Sequence, residues 1–282
     1  MKKTAALMVS LLACVALAAC GGAPAAESSG SQASSQESQS SQESQASKAS
    51  QTTFTVGFDQ DLPPMGFVGE DGKFTGFDLE LAEEAAKRMG KEIKYQPIAW
   101  DAKDMELSSG TIDCIWNGFT MNGREEQYLW SKPYMENQQV FVVKSDAGIA
   151  SLEDLAGKTV EVQVDSSAEA ALKDDAALTA TFGKLQTTAE YNTAFMDLDM
   201  GGVDAVAMDS VVANYQIQQR NSDAFTILPQ AISSETYGVG FKLGNTELRD
   251  QVQKALDDMA ADGTMAKISE KWFGKDVTVV GK

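Results

Sequence analysis

The chain divides into three zones by its pattern of apolar and polar positions. Ala5 to Ala19 is almost wholly apolar, and residues 21 to about 52 carry nearly no large apolar side chain. Beyond them, apolar positions recur with periods of two and of about 3.6 in turn. Phe54-Thr55-Val56-Gly57-Phe58 alternates and predicts a strand. Asp78 then opens a predicted helix with Leu79, Ala82, Ala85, Ala86 and Met89 on one face, and Gly90 closes it. Ile93 to Pro97 reads as the next strand. Strand, helix and strand in that order form a β-α-β unit, which predicts a parallel sheet.

The pattern then repeats itself. Met105-Glu106-Leu107-Ser108-Ser109-Gly110-Thr111-Ile112-Asp113-Cys114-Ile115 runs helix end, glycine turn, strand. Met196-Asp197-Leu198-Asp199-Met200-Gly201-Gly202-Val203-Asp204-Ala205-Val206 does the same 91 positions later. The echo predicts two lobes, each with a loop at the carboxyl end of a comparable strand, where open α/β sheets hold their ligands. At the same offset Gly118 corresponds to Asp209, and both are expected to line a cleft between the lobes.

The first zone bears on location. Met1-Lys2-Lys3 followed by a short apolar run has the layout of a signal peptide, and the run is too short to span a bilayer. Leu17-Ala18-Ala19-Cys20-Gly21 resembles the lipobox of bacterial lipoproteins. That resemblance implies cleavage after residue 19 and a lipidated Cys20 that holds the chain at the outer face of the cell membrane. Residues 20–52, after the lipidated cysteine, are rich in Ser, Gln, Glu and Ala. They cannot offset their own ordering entropy, so they predict a disordered tether with a mean reach of roughly 30 Å.

Composition removes several classes of function. Only Cys114 is left once Cys14 and Cys20 are assigned to the leader and the anchor, so no internal disulfide is available. Cys114 lies in the apolar run Ile112 to Trp116 and is expected to be buried. The chain has no histidine, which excludes histidine acid–base and Ser-His-Asp or Cys-His chemistry and argues against zinc. A formal net charge of −18 with no basic cluster past the leader argues against nucleic acid. No cofactor or metal is expected.

Four segments, in order and spacing, resemble the polar-amino-acid family of ABC-transporter substrate-binding proteins, and the resemblance covers 54–275. The first is Val56-Gly57-Phe58-Asp59-Gln60-Asp61-Leu62-Pro63-Pro64-Met65-Gly66-Phe67, followed by Gly76-Phe77-Asp78-Leu79-Glu80-Leu81-Ala82. The second is Asn117-Gly118-Phe119-Thr120-Met121-Asn122-Gly123-Arg124, and the third Gln163-Val164-Asp165-Ser166-Ser167-Ala168. The fourth is Asp204-Ala205-Val206-Ala207-Met208-Asp209, with Asp262-Gly263-Thr264 also typical. The implied fold is the type II periplasmic-binding-protein architecture, two α/β lobes joined by a two-strand hinge with the ligand in the interlobe cleft. Lobe 1 is expected at 54–144 plus 240–282 and lobe 2 at 145–239, with Val140–Val143 and Gly238–Phe241 as the crossings. The implied partners are a polar amino acid, a permease and an ATPase on separate chains, and the membrane through the lipid anchor. A monomer is expected.

An amino-acid zwitterion brings a carboxylate and an ammonium that both need neutralising in a closed cleft. Arg124 is the candidate for the carboxylate, since its planar fork can make two parallel bonds. Its alternative is a surface arginine paired with Glu125 or Glu126. The resemblance adds Ser166, at a helix start, for the same carboxylate. Asp209 is the candidate for the ammonium, with the Gly118 carbonyl and Thr120 hydroxyl beside it; its alternative is a cap for the helix starting near Val211. Asp59 is placed to read the ligand side chain and favours Lys, Arg, His, Gln or Asn. Leu62, Trp100 and Phe119 are expected as cleft walls, with core packing as their alternative. Three departures from the family pattern stand out: a loop before Arg124 one residue shorter, Asp165 where glycine is usual, and Leu62 where an aromatic is common. Two rival functions remain, an enzyme on the same fold using Asp59 or Glu161, and a sensor for a partner kinase.

Overall fold

The computed structural model describes residues 52–220 and 223–282. The leader, Cys20 and nearly all of the expected tether lie outside the described residues. Strand β1 (Thr53–Phe58) buries Phe54, Val56 and Phe58, as its alternation requires, and pairs in parallel with β5 (Glu92–Pro97) from Thr53↔Glu92 to Phe58↔Pro97. Between them lie three short strands, β2 (Asp61–Leu62), β3 (Gly66–Val68) and β4 (Phe74–Thr75), which form a small sheet of their own. Helix α1 (Phe77–Arg88) follows and buries Leu79, Leu81, Ala82, Ala85 and Ala86 against the core.

The start of α1 departs from expectation. Gly76 is the cap residue, and a Cβ there would sit 2.3 Å from the Met65 carbonyl oxygen, so only glycine fits. Asp78 makes no cap bond. Its carboxylate turns inward, accepting from the Gly118 N–H at 2.5 Å and the Tyr134 hydroxyl at 2.9 Å. Burial pushes its pKa up to about 7.

The first large sheet has the order β5-β1-β6-β14-β7, with β6 at Cys114–Ile115, β7 at Leu129–Trp130 and β14 at Gly240–Phe241. Helix α2 (Lys103–Ser109) leads into β6. Cys114 is fully buried there, and burial pushes its thiol pKa well up. The second sheet runs β10-β9-β11-β8-β12, with β13 (Ser233–Tyr237) also on β8. Its strands are β8 (Met135–Lys144), β9 (Thr159–Gln163), β10 (Lys184–Thr188), β11 (Ala205–Asp209) and β12 (Phe225–Ile227). Helices α3 (Ser167–Asp174), α4 (Ala176–Thr179), α5 (Tyr191–Met200) and α6 (Ser210–Gln219) belong to this lobe. The chain ends in the first lobe with α7 (Thr246–Ala261) and α8 (Thr264–Phe273). The result is a mixed α/β molecule of two sheet-containing lobes. None of the described helices is long and apolar enough to cross a membrane.

The expected lobe boundary needs a correction. Val140–Val143 pair with β11, from Val140↔Met208 to Val143↔Ala205, and so lie inside the second sheet. Their side chains feed two cores by period two: Val140 and Val142 join one cluster, Phe141 and Val143 another. The crossings lie earlier in the chain on one side. Ser131 donates its N–H to the Val239 carbonyl at 3.0 Å, and Tyr134 donates to the Tyr237 carbonyl at 2.9 Å. A run of four apolar residues reads equally well as a connector or a buried strand, and burial on both faces decides for the strand.

Candidate site between the lobes

Both copies of the helix–glycine–aspartate–strand unit end at the seam between lobes. After β6 the chain turns through Gly118, which has φ 54°. A Cβ on Gly118 would lie 3.3 Å from the Tyr237 ring, and the Tyr237 hydroxyl donates to Asp209 Oδ1 at 2.5 Å. Gly118 and Asp209 thus both approach the hydroxyl end of one tyrosine.

Asp209 is 6 % exposed, and its carboxylate makes no cap bond to α6. It accepts from Asn137 Nδ2 at 3.0 Å and Gln139 Nε2 at 2.8 Å, both carried by β8. Glu235 of β13, 5 % exposed, accepts from the same two amides at 2.7 and 2.8 Å. Burial raises both acids, and the adjacent Asp209 charge adds to the rise of Glu235, which reaches about 7. The sequence reading missed Glu235, Asn137 and Gln139. A trace of them exists in Met135-Glu136-Asn137-Gln138-Gln139, where polar residues with strand period precede an apolar strand core.

Arg124 lies on the loop after β6, half-buried over the face of Phe119 at 5.4 Å. Its Nη1 donates to the Thr120 carbonyl at 3.3 Å and its Nη2 to the Asp165 carbonyl of the other lobe at 3.4 Å. It forms no ion pair among the described residues, with Glu125 and Glu126 included. Around it is a cavity of about 450 Å³ lined by Thr120, Arg124, Asp165, Ser166 and Glu235. Ser166 caps α3, accepting from the Glu169 N–H at 3.1 Å, and lines the cavity as well.

Asp165 adopts φ 57°, the left-handed conformation that the usual glycine would supply without strain. Its carboxylate pairs with Lys103 of α2, which is only 2 % exposed, so it does not stand bare beside an anion site. Lys103 also donates to the Trp100 carbonyl at 3.3 Å and lies 5.2 Å from the centre of the Trp100 ring. This latch between lobes was not foreseen, because a lone lysine in a helix reads as a solvated face.

Asp59 follows β1 and is 5 % exposed. Its backbone N–H donates to Asn117, while its carboxylate accepts from the Asp61 N–H at 2.8 Å and from Gln163 Nε2 of the other lobe at 2.7 Å. Burial raises its pKa to about 6. With Trp100 it lines a second cavity at the seam, of about 310 Å³. Thr120 is buried and bridges to Tyr237. Leu62 and Phe119 line neither cavity. Leu62 joins the core cluster with Phe58, Met65 and Leu79, and Phe119 packs among Trp100, Tyr128 and Trp130 at centroid distances of 4.8 to 5.5 Å. Both are buried in packed clusters, in line with the packing alternative read for them. A further cavity, about 730 Å³, lies on the first lobe among Arg88, Asp113, Gln251 and Asp258, and holds none of the expected site residues.

Two α/β lobes joined by two connecting segments, with a polar cavity at their seam lined by Arg124, Asp165, Ser166 and Glu235, give the architecture of a two-lobed binding protein. The chain belongs to the bacterial extracellular solute-binding proteins, family 3, whose model matches residues 54–275. It is 34% identical over 229 residues to the L-cystine-binding protein TcyJ of Escherichia coli K12, covering 80% of this chain and 84% of that one. A substrate-binding protein of an ABC uptake transporter from Streptococcus pneumoniae, solved with bound histidine, matches with TM-score 0.80 and 33% identity over 85% of this chain and 99% of that one. An ancestral arginine-binding protein bound to arginine matches with TM-score 0.74 and 40% identity, over 79% and 99% of the two chains.

Proposed function

We propose that this protein captures a polar α-amino acid between its lobes and delivers it to the permease of an ABC importer. The observation that carries this reading is the cavity in which Arg124, without an ion-pair partner, faces the carboxyl side chain of Glu235, backed by Asp209. That arrangement complements a zwitterion. Arg124 and the start of α3 at Ser166 take the ligand carboxylate, and Asp209, with the Gly118 carbonyl and Thr120, takes the ammonium. Asp59 and Trp100 meet the ligand side chain.

The charge balance narrows the ligand. Lys103 is paired with Asp165 and Lys173 with Glu169, which leaves Arg124 as the cavity cation without an ion pair among the described residues, against the buried Asp59, Asp209 and Glu235. A ligand with a second cationic or strongly donating group fits best, and the relatives named for cystine, histidine and arginine agree with that chemistry. Cys20 anchors the monomeric protein by lipid at the outer membrane face, and residues 20–52 let the lobes turn beside the permease. Calorimetry with the twenty amino acids and cystine tests the reading. A 1:1 complex at micromolar or tighter affinity, with the ligand recovered unchanged, is expected. Turnover of the ligand, or no binding by any of them, would contradict it. Replacing Cys20 by Ala is expected to release the protein from the membrane fraction.

A further inference from the structure

Glu235 lines the Arg124 cavity, with Asp165, Glu169 and Asp174 also on its wall, while Asp209 lines neither seam cavity. Asn137 Nδ2 and Gln139 Nε2 each lie within 3.0 Å of one oxygen from both acids, so a single pair of amides holds the two carboxyls together. Two carboxylates this close and this buried cannot both ionise without a counter-cation. No lysine or arginine pairs with either among the described residues. We infer that Glu235 and Asp209 form one ammonium seat that holds a single proton when empty and releases it to solvent when the ligand's ammonium enters.

The balance of the step is simple. The protonated pair carries one negative charge; the incoming ammonium supplies one positive charge, and the leaving proton restores two carboxylates around it. The inference rests on the amino-acid reading above and adds to it a second ligand-binding acid and a proton count. Other titratable and charged groups around the pair come from every neighbouring element. They are Tyr237 on β13, Tyr191 on α5, Arg124 on the loop after β6 and, at the cavity rim, Asp174 with Glu169 paired to Lys173 on α3. Both tyrosines are pushed well above their usual range by burial and stay neutral near pH 7. The Glu235–Asp209 pair, both acids raised by burial and Glu235 to about 7, therefore exchanges its shared proton in the neutral range. Asp59, about 6, faces the other seam cavity and is separated by mutation below.

Two measurements test the inference. The first needs no ligand: carbon-13 carboxyl spectra of Asp- and Glu-labelled protein, followed from pH 4 to 9. Glu235 is expected to titrate near neutrality in the wild type and to fall toward the ordinary glutamate range in Asp209→Asn. If the Glu235 and Asp209 signals both titrate below pH 5, the shared proton is overturned, whatever the protein binds. The second is calorimetry with L-arginine, L-histidine and L-cystine in buffer pairs that differ in heat of ionisation, phosphate and bis-Tris at pH 6, Tris and tricine at pH 8.5. Close to one proton is expected to leave per ligand at pH 6 and almost none at pH 8.5, with affinity rising about tenfold per pH unit below neutrality. Glu235→Gln is expected to bind more weakly and to release almost no proton. Equal release from wild type and Glu235→Gln would overturn the assignment and place the proton on Asp59. Failure of all three ligands to bind, with the neutral titration intact, would count against the amino-acid reading and leave the proton pair standing.

Discussion

The helix–glycine–aspartate–strand unit occurs once in each lobe, and its two copies share a scaffold but present different chemistry. In both, the glycine takes the left-handed conformation, φ 80° at Gly110 and 74° at Gly201. The aspartate then clamps the neighbouring parallel strand. Asp113 accepts the Thr55 N–H at 2.7 Å and Asp204 the Thr159 N–H at 2.8 Å, and each returns its own N–H to the same residue's carbonyl. Past that point they diverge. Strand β6 stops after two residues and turns through Gly118, leaving the cation to Arg124 on the following loop. Strand β11 runs five residues and ends on Asp209 inside a network of amides. A long guanidinium can reach a cleft from a loop, whereas a short carboxylate must be carried there by the strand end itself. In the proposed site the lobes therefore divide the charged side chains, lobe 1 offering a half-buried cation and lobe 2 a fixed, buried acid.

That division can be broken most severely at Arg124. Arg124→Ala is expected to lower amino-acid affinity by two to three orders of magnitude, since truncating one side of a desolvated charge pair costs about 2–5 kcal/mol. Its thermal stability is expected to change little, because the half-buried side chain makes two long bonds to carbonyls and one contact with the Phe119 face. Asp209→Ala sharpens the contrast. It is expected to abolish binding as well and also to lower stability by about 1–3 kcal/mol, by leaving the buried Tyr237 hydroxyl without its acceptor. Equal stability of the two variants in urea unfolding would dissolve the distinction between loop cation and built-in acid.

Gly118 marks the turn that lobe 1 has in place of an acid. Gly118→Ala is expected to cost about 1–2 kcal/mol from the positive φ, with further loss as Tyr237 is displaced. Thermal unfolding reads this directly. A pH series tests the buried acids of both lobes together. Asp78 and Glu235 hold their protons to about pH 7, whereas the unfolded chain releases them near pH 4. Between those values the native state binds more protons, so these groups make stability fall as pH rises from about 4.5 to 7 and add nothing further above. Melting temperatures from pH 5 to 8 are expected to decline, and Asp78→Asn to flatten part of that slope. The latch gives a mixed effect. Asp165→Gly relieves a left-handed residue but leaves the buried Lys103 ammonium without its carboxylate, so a net loss of about 1–3 kcal/mol is expected in urea unfolding. Small-angle scattering should then show a more open average shape.

Much of this was legible in the sequence because local periodicity carried it. The alternation in Phe54–Phe58, the glycine turns and the two aspartates needed only local chemistry. Asp113 and Asp204 sit at matching places because both copies solve the same problem of clamping a parallel strand. What stayed hidden depends on contacts distant in sequence. Asn137 and Gln139 look like a polar connector until Asp209 and Glu235 fold against them from about 70 and 96 residues away. Asp78 sits where a helix cap is expected, yet the Met65 carbonyl forces Gly76 into that role and the carboxylate reaches Gly118 instead. Lys103 gives no local sign of its partner across the seam.

The claim that the lobes divide the two charges of one zwitterion is tested most directly by comparing an amino acid with its own uncharged-end analogue. Calorimetry would measure the tightest-binding L-amino acid beside its α-amide, in wild type and in Arg124→Ala. The account predicts that the amide loses at least a hundredfold in affinity to the wild type, and that the two ligands become nearly equal, and weak, in Arg124→Ala. Equal binding of acid and amide by the wild type would show that Arg124 does not hold the carboxylate and would contradict the account.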